Sequence, residues 1–366
     1  MTARAPAPTA PDRFAEALLA WFDQHGRKDL PWQRERTPYR VWLSEVMLQQ
    51  TQVRTVIPYF ERFVGALPTL ASVAAAPEDR VLALWSGLGY YSRARNLQRA
   101  AQICVDQHDG ALPRNIDELS ALPGIGRSTA AAILAQTAGE PHAILDGNVR
   151  RVLARWHGVR SWPGASATQK TLWQHAEQHT PHERVADYTQ AIMDLGATLC
   201  TRSRPQCARC PVSSACVALS EGLTAALPEA KPKRALPTRA TTMLIVRDAQ
   251  GRVLLERRPP TGVWARLWSL PEMDNGASAP DHLHERYAVR VDTTIALDRF
   301  VHTFSHYHLQ VTPLLFTGTP IANRVADDPD RDWYSHGQFS VLGLPAPVRK
   351  LLETLEESPW PATSTA

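Results

Sequence analysis

The 366-residue chain carries 40 Lys and Arg against 36 Asp and Glu, for a net charge of +4, and 44% of its residues are hydrophobic. That length suits two domains, each with its own core, and the composition excludes a chain disordered throughout. No apolar run approaches the roughly 20 residues of a membrane span, so no membrane partner is expected. The positive charge comes from 35 arginines and only five lysines. A guanidinium fork suits phosphates and base faces, although composition bias produces the same skew. The opening stretch MTARAPAPTAPDR lacks an apolar core, so no signal peptide is expected and the thiols belong in a reducing compartment.

In chain order, residues 1–10 are Pro/Ala-rich and read as a disordered tail. A first helix puts Phe14, Leu18, Trp21 and Phe22 on one face and ends near Gly26. Apolar periodicity predicts further helices over 39–51, 52–64, 78–84, 90–107, 115–120, 127–138, 148–156, 167–178 and 184–199. Two breaks look alike, GLGYYSRA at 87–94 and GIGRSTAA at 124–131, each before an alanine-rich helix. Pro228, Pro232 and Pro237 with Lys231, Lys233 and Arg234 mark a linker over 221–237. Beyond it TTMLIVRD, RVLLERR and LQVTPLLF read as strands, and a helix near 346–356 closes an α+β domain before a tail at 357–366.

Four of the five cysteines, Cys200, Cys207, Cys210 and Cys216, fall within 17 residues, separated by six, two and five. Thiolates so spaced can converge on one metal centre and fold a loop that has no core of its own. Spacing alone leaves iron–sulfur and tetrahedral zinc open, and two disulfides as a third option. LPGIGRSTAAAI at 122–133 places Pro and two glycines in a tight turn before a helix. Its amides can open toward an anion, making a helix–hairpin–helix that grips phosphate; an ordinary glycine turn is the plainer alternative. Asp146 stands just before the next helix, either as an N-cap or as a carboxylate facing a cleft. Glu45, flanked by Trp42, Val46, Met47 and Leu48, is either solvated or sunk in a pocket. Desolvation in a pocket would raise its pKa and suit it to general acid work near neutral pH.

LPGIGRSTA, ILDGNVRRVLAR and MDLGATLC leading into the cysteine loop together resemble the endonuclease III superfamily of DNA glycosylases. LPWQ at 30–33, SEVMLQQTQV at 44–53 and GLGYYSRARNL at 87–97 are similar to its adenine glycosylase (MutY) branch. The resemblance covers nearly all of 12–220. It implies that Cys200, Cys207, Cys210 and Cys216 hold a 4Fe–4S cluster. It also implies that Glu45 protonates adenine N7 and manages the water, that Asp146 stabilises the oxocarbenium sugar, and that Asn148 orients water and carboxylate. Gln50 and Tyr90 would enter the base stack, and Trp32 and Gln190 would line the adenine pocket. Leu122, Gly124, Gly126 and Ser128 would belong to the DNA-gripping hairpin. Where bifunctional relatives carry a Schiff-base lysine this chain has Ser128, and no lysine occurs between Lys28 and Lys170. The expected enzyme is therefore monofunctional.

TGVWARLWSLPEM at 261–273 resembles the MutT-like (Nudix) domain that ends such proteins, but no REXXEE-type acidic run accompanies it. It should bind and not hydrolyse. In VHTFSHYHLQV at 301–311, strand alternation would put His302, His306 and His308 on one face. The resemblance points instead to Phe304, Ser305 and His306 as readers of 8-oxoguanine. Oxidation at C8 turns guanine N7 from acceptor into donor, which a short hydroxyl can detect.

The expected architecture is an all-α helix–hairpin–helix glycosylase domain with a 4Fe–4S loop at 11–220, then an α+β Nudix-fold domain at 238–356. The expected protein is a monomer, cytoplasmic and associated with the nucleoid. It would hydrolyse adenine from duplex DNA opposite 8-oxoguanine or guanine, in base excision repair. The rivals are a thymine or oxidised-pyrimidine glycosylase on the same scaffold and a non-catalytic iron–sulfur DNA-binding protein.

Overall fold

The structure is a computed structural model that describes residues 12–231, 235–274, 278–321, 325 and 328–357. The expected tail at 1–10 and all but the first residue of that at 357–366 lie outside the described residues. The chain forms two units, 1–74 with 99–233 and 75–98 with 234–366.

The helices up to the cysteine loop are α1 (Arg13–His25), α2 (Pro31–Arg34), α3 (Pro38–Leu48), α4 (Val53–Ala66), α5 (Leu70–Ala75), α6 (Glu78–Trp85), α7 (Ser92–Gln107), α8 (Ile116–Ala121), α9 (Arg127–Ala138), α10 (Gly147–Trp156), α11 (Ser166–His179), α12 (Val185–Thr198) and α13 (Val217–Ser220). Their starts obey capping chemistry. Asp12 accepts from the Phe14 N–H ahead of α1, Thr37 from Arg40 with Pro38 at the first helical position, and Asn115 from Asp117 and Glu118. The core of the first unit joins Phe14, Leu18 and Phe22 of α1 to Val149, Val152 and Leu153 of α10 and to Tyr188, Ile192 and Leu195 of α12. Among the described residues no helix is long and apolar enough to cross a membrane.

Two helix boundaries depart from the sequence expectation at the same kind of residue. The helix expected over 39–51 stops at Leu48, because Gln50 takes a left-handed backbone with φ 60°. That expected over 90–107 begins only at Ser92, because Tyr90 has φ 49°. Side chains larger than glycine rarely adopt this region.

In the second unit a mixed sheet runs β3 (Trp268–Ser269), β2 (Val253–Arg257), β1 (Thr238–Arg247), β7 (His308–Pro320), β5 (Val289–Ala296). Also paired are β4 (Glu272–Met273) with β1, β6 (Phe300–Thr303) with β7 and β8 (Arg331–Tyr334) with β2. The central pair β1 and β7 is parallel from Thr238↔His308 to Arg247↔Thr317. Both faces of β1 are buried, which explains the unbroken apolar run of its sequence. Met243 and Ile245 pack with Val348 and Leu352 of α15 (Ala346–Glu357), while Leu244 and Val246 pack with Leu283 and Tyr287 of α14 (Ala279–Tyr287). Residues 75–98 join this unit through two bonds from the Arg257 guanidinium to Asp79, each 2.8 Å, and through Tyr91 Oη donating to the Leu344 carbonyl at 2.9 Å. The segment 301–311 is not one strand. It breaks at 304–307 into a hairpin of β6 and β7 with Thr303 opposite His308, so alternation does not carry across its three histidines.

Candidate active site

A cavity of about 730 Å³ in the first unit is lined by Glu45, Asp146, Asn148, Trp32, Gln190 and Ser128, among others. Six residues singled out in the sequence, up to 158 positions apart, thus share one wall-to-wall space. Trp32 on α2 is held edge-on against Phe60, ring centroids 5.4 Å apart. Ser128, in the first turn of α9, accepts from the Leu145 N–H at 2.9 Å and so fixes the backbone just before Asp146. No lysine is among the described residues lining this cavity.

Asp146 is the N-cap of α10. Its Oδ1 accepts from the Val149 N–H at 2.7 Å, and its Oδ2 accepts from Asn148 Nδ2 at 3.3 Å. Asn148 Oδ1 in turn accepts from Arg151, which also donates to the carbonyls of Gly196 and Cys200. Burial raises the Asp146 pKa, opposed by the Val149 and Asn148 N–H groups and by Arg151 and Arg150. Glu45 has less help. Burial, and then the charge of Asp146, push its pKa up to about 7, against one N–H from Gln136 at 3.3 Å. The two carboxylates therefore feel one another, and Asp146, with more donors around it, is the easier to ionise.

The hairpin follows. Leu122, the C-cap of α8, is buried with its N–H bonded to the Leu119 carbonyl and its own carbonyl to the Ile125 N–H, whereas Gly124 and Gly126 are exposed. Gly124 takes φ 79°, which the tight turn requires. Gly126 is the N-cap of α9 and offers no side-chain cap, leaving the first amides of a 12-residue helix to an outside acceptor. The Gly124 carbonyl accepts from Gln49 Nε2 at 3.4 Å, joining the hairpin to the turn that carries Gln50. Gln50 itself is exposed and does not line the cavity, although Gln49 and Thr51 on either side of it do.

Two features were assigned no role from the sequence, although Gln33 lies in LPWQ and Gly196 in MDLGATLC. Gln33 and Gln136 are buried polar residues behind the cavity, in contact with Gln190 and Glu45. Gly196 lets α12 approach α10: a Cβ there would lie 2.6 Å from the Cβ of Asn148.

Cys200, Cys207, Cys210 and Cys216, all free thiols, line one small cavity of about 30 Å³. Buried Arg155 donates to Cys200 Sγ at 3.4 Å and to the carbonyls of Thr201, Arg202 and Leu227. Burial pushes the Cys210 thiol up to about 11 and raises Cys216, and the neighbouring cysteines add to both. Arg202, Arg204 and Arg209 of the loop are exposed, and Arg202 also lines the larger cavity.

In the second unit, a cavity of about 360 Å³ brings Tyr90 together with Phe304, Ser305 and His306, beside Trp264 and His302. Phe304 packs among Trp264, His302 and Tyr307 with ring centroids 5.1, 4.6 and 4.7 Å away. Ser305 and His306 at the hairpin tip are exposed, and Tyr90 is 51% exposed.

The HhH-GPD superfamily of base excision DNA repair proteins matches residues 43–178, and a NUDIX domain matches residues 242–354. The adenine DNA glycosylase of Buchnera aphidicola subsp. Acyrthosiphon pisum is 36% identical over 345 residues, which span 94% of this chain and 98% of that protein. The adenine DNA glycosylase of Homo sapiens is 34% identical over 407 residues, covering 94% of this chain and 74% of that protein. Among solved structures, a thermostable thymine-DNA glycosylase superposes with a TM-score of 0.51 at 26% identity, over 57% of this chain and 95% of its own. The thymine enzyme covers 57% of this chain, whereas these adenine enzymes cover 94% of it, and the chain belongs to the adenine DNA glycosylase family.

Proposed function

We propose that this enzyme removes adenine paired with 8-oxoguanine or guanine from duplex DNA by hydrolysis alone, leaving an abasic site. The observation that carries the reading is the pair of carboxylates at the main cavity, with Glu45 raised to about 7 and Asp146 beside Asn148 and the α10 amides. Breaking a C–N glycosidic bond needs a proton for the leaving base and negative charge for the sugar. Glu45, protonated near neutral pH, would give its proton to adenine N7. Asp146 would face the positive charge that develops on the sugar, and Asn148 would hold the water. Ser128 is already engaged with Leu145 and carries no amine, so no imine forms and the strand stays intact.

The nucleotide must leave the stack to reach this cavity, which costs a few kcal/mol and less at a mispair. Gln50 and Tyr90, each in a left-handed backbone beside a helix end, would enter the base stack. Trp32 and Gln190 would line the base pocket. Gly124, Gly126 and the first turn of α9 would grip a phosphate through backbone amides, with buried Leu122 shaping the hairpin from beneath. Ser305, at an exposed hairpin tip beside Phe304 and His306, would accept from the N7–H that only 8-oxoguanine offers. Glu272 is paired with Arg258, and Glu256 with Arg286 and the Tyr287 hydroxyl, which supports a unit that binds without hydrolysing.

The four cysteines would hold a 4Fe–4S cluster. Buried thiols that raise one another's pKa need a cationic centre to become thiolates. Among the described residues no group of three or more His, Cys, Asp or Glu is placed to hold a metal ion, so the choice of cluster over zinc rests on the family resemblance. When bound, the cluster would supply a crosslink that fixes the arginine-bearing loop; base hydrolysis itself transfers no electron.

The test is incubation with an 8-oxoguanine:adenine duplex followed by hot alkali. Cleavage at the adenine, and none without alkali, is the expected result. Cutting of a thymine-glycol or uracil duplex with the adenine duplex intact would overturn it.

A further inference from the structure

Glu45 ends a line of buried polar side chains that starts at Arg27. Arg27 donates to Asp194 three times: from its backbone N–H to Oδ2 at 2.8 Å, and from Nε and Nη2 to Oδ1 at 2.9 and 2.7 Å. Gln190 Nε2 donates to Asp194 Oδ1 at 2.7 Å. Gln33 Nε2 donates to Gln190 Oε1 at 2.6 Å and to Gln136 Oε1 at 3.0 Å. Gln136 Nε2 reaches Glu45 Oε1 at 3.3 Å. Asp194, Gln190, Gln136 and Gln33 are 0, 4, 6 and 7% exposed, so water does not take the place of these partners.

Only one sense of the line is self-consistent. Asp194, paired with Arg27, can only accept, so Gln190 must turn its amino group to it. Gln190 then presents a carbonyl to Gln33, which must answer with its amino group. The second hydrogen of that amino group needs the Gln136 carbonyl, which leaves the Gln136 amino group facing Glu45. Reversing any one amide sets like against like: two carbonyls at Gln33, a carbonyl against the Asp194 carboxylate at Gln190, and two amino groups at Gln136. Gln33 keeps this orientation although its own Oε1 is buried without a partner among the described residues, so nothing but the line holds it.

We infer that Asp194 and Gln33 are positioning residues of base excision: the ion pair sets the sense of three carboxamides, which deliver an N–H to Glu45 Oε1 and confine the transferable proton to Oε2. The inference rests on the reading of Glu45 as the acid. When the Oε2–H bond breaks and the proton passes to adenine N7, negative charge appears on the carboxyl. The Gln136 N–H then faces a carboxylate, where a hydrogen bond is stronger than to a neutral acid. Without the line, Gln136 is free to turn and accept from Glu45, which would hold the proton away from the base.

The experiment measures single-turnover excision from an 8-oxoguanine:adenine duplex between pH 5.5 and 9. It compares the wild type with Gln33→Met, Asp194→Asn and Glu45→Gln, alongside duplex affinity by anisotropy. Gln33→Met should slow excision about tenfold, leave affinity within about twofold, and move the alkaline limb of the profile upward, since the carboxylate loses its donor. A structural defect alone would not move that limb. Wild-type rate and limb in Gln33→Met, with Glu45→Gln inactive, would overturn the relay and spare the acid. Full turnover in Glu45→Gln would overturn the acid assignment itself. If Asp194→Asn does not fold because Arg27 loses its partner, the nearly isosteric Gln33→Met decides alone.

Discussion

Replacing Glu45 by glutamine should stabilise the protein at pH 8 while abolishing turnover. A carboxyl whose ordinary pKa is 4.5 and whose folded value is about 7 keeps its proton in the native state while the unfolded chain has already lost it. Between those values the folded state binds more protons, so stability present below about pH 4.5 is lost as the pH rises through 7. The gap, at about 1.4 kcal/mol per pH unit, amounts to about 3 kcal/mol once Glu45 is ionised. Glutamine can still accept from Gln136 and carries no charge to desolvate, so it escapes that penalty. Urea unfolding of both proteins at pH 5 and pH 8 gives the answer. The variant should match the wild type within about 1 kcal/mol at pH 5 and exceed it by about 3 kcal/mol at pH 8. In the wild type the same titration should cut single-turnover excision about tenfold between pH 6 and pH 8. An equal stability difference at both pH values would show that Glu45 is not desolvated, and the argument for its acid role would fail with it.

Two further outcomes follow from single contacts. Gly196→Ala should part α12 from α10, because its Cβ would meet the Asn148 Cβ at 2.6 Å. A loss of about 1–3 kcal/mol in unfolding free energy, with excision slowed more than tenfold, is expected, and an unaltered rate would refute a role for this close approach. Ser305→Ala should lower the preference for 8-oxoguanine over guanine opposite adenine about fivefold, the value of one neutral hydrogen bond, while base removal opposite guanine stays the same. Competition between the two duplexes measures it, and an unchanged ratio refutes the hairpin tip as reader.

Much of the helical unit is legible in the sequence because its signals are local. Asp12, Thr37 and Asn115 announce helix starts, and the expected helix over 127–138 is α9 itself. What escaped is non-local or against propensity. The short α2 and α5 are too brief for a 3.6-residue period to show. Gln50 and Tyr90 end helical patterns early with backbones that propensity disfavours, and strain of this kind is decided by the surrounding fold. In the second unit β5, reading VRVDTTIA with a bulge between Val291 and Thr293, lacks clean alternation, so it was not separable from a loop. The amide line was invisible for another reason. A glutamine at 33 or 136 looks like any helix residue until the fold places Gln136 against Glu45 and Gln33 against Gln136.

Asp146 shows how the plain and the functional reading of one residue can be the same fact. As an N-cap it satisfies the Val149 amide with Oδ1, the ordinary work of an aspartate before a helix. The helix terminus returns the interaction, because its amides favour the carboxylate over the acid. Oδ2, left to Asn148 and to the cavity, is then the oxygen that would face a sugar losing its base under the proposed reaction. Glu45, in the last turn of α3, has no such terminus to offset the burial that keeps its proton to about pH 7. The division of labour between the two acids thus comes from where each lies along its helix. Moving the cap, and not only removing the carboxylate, should disturb the chemistry.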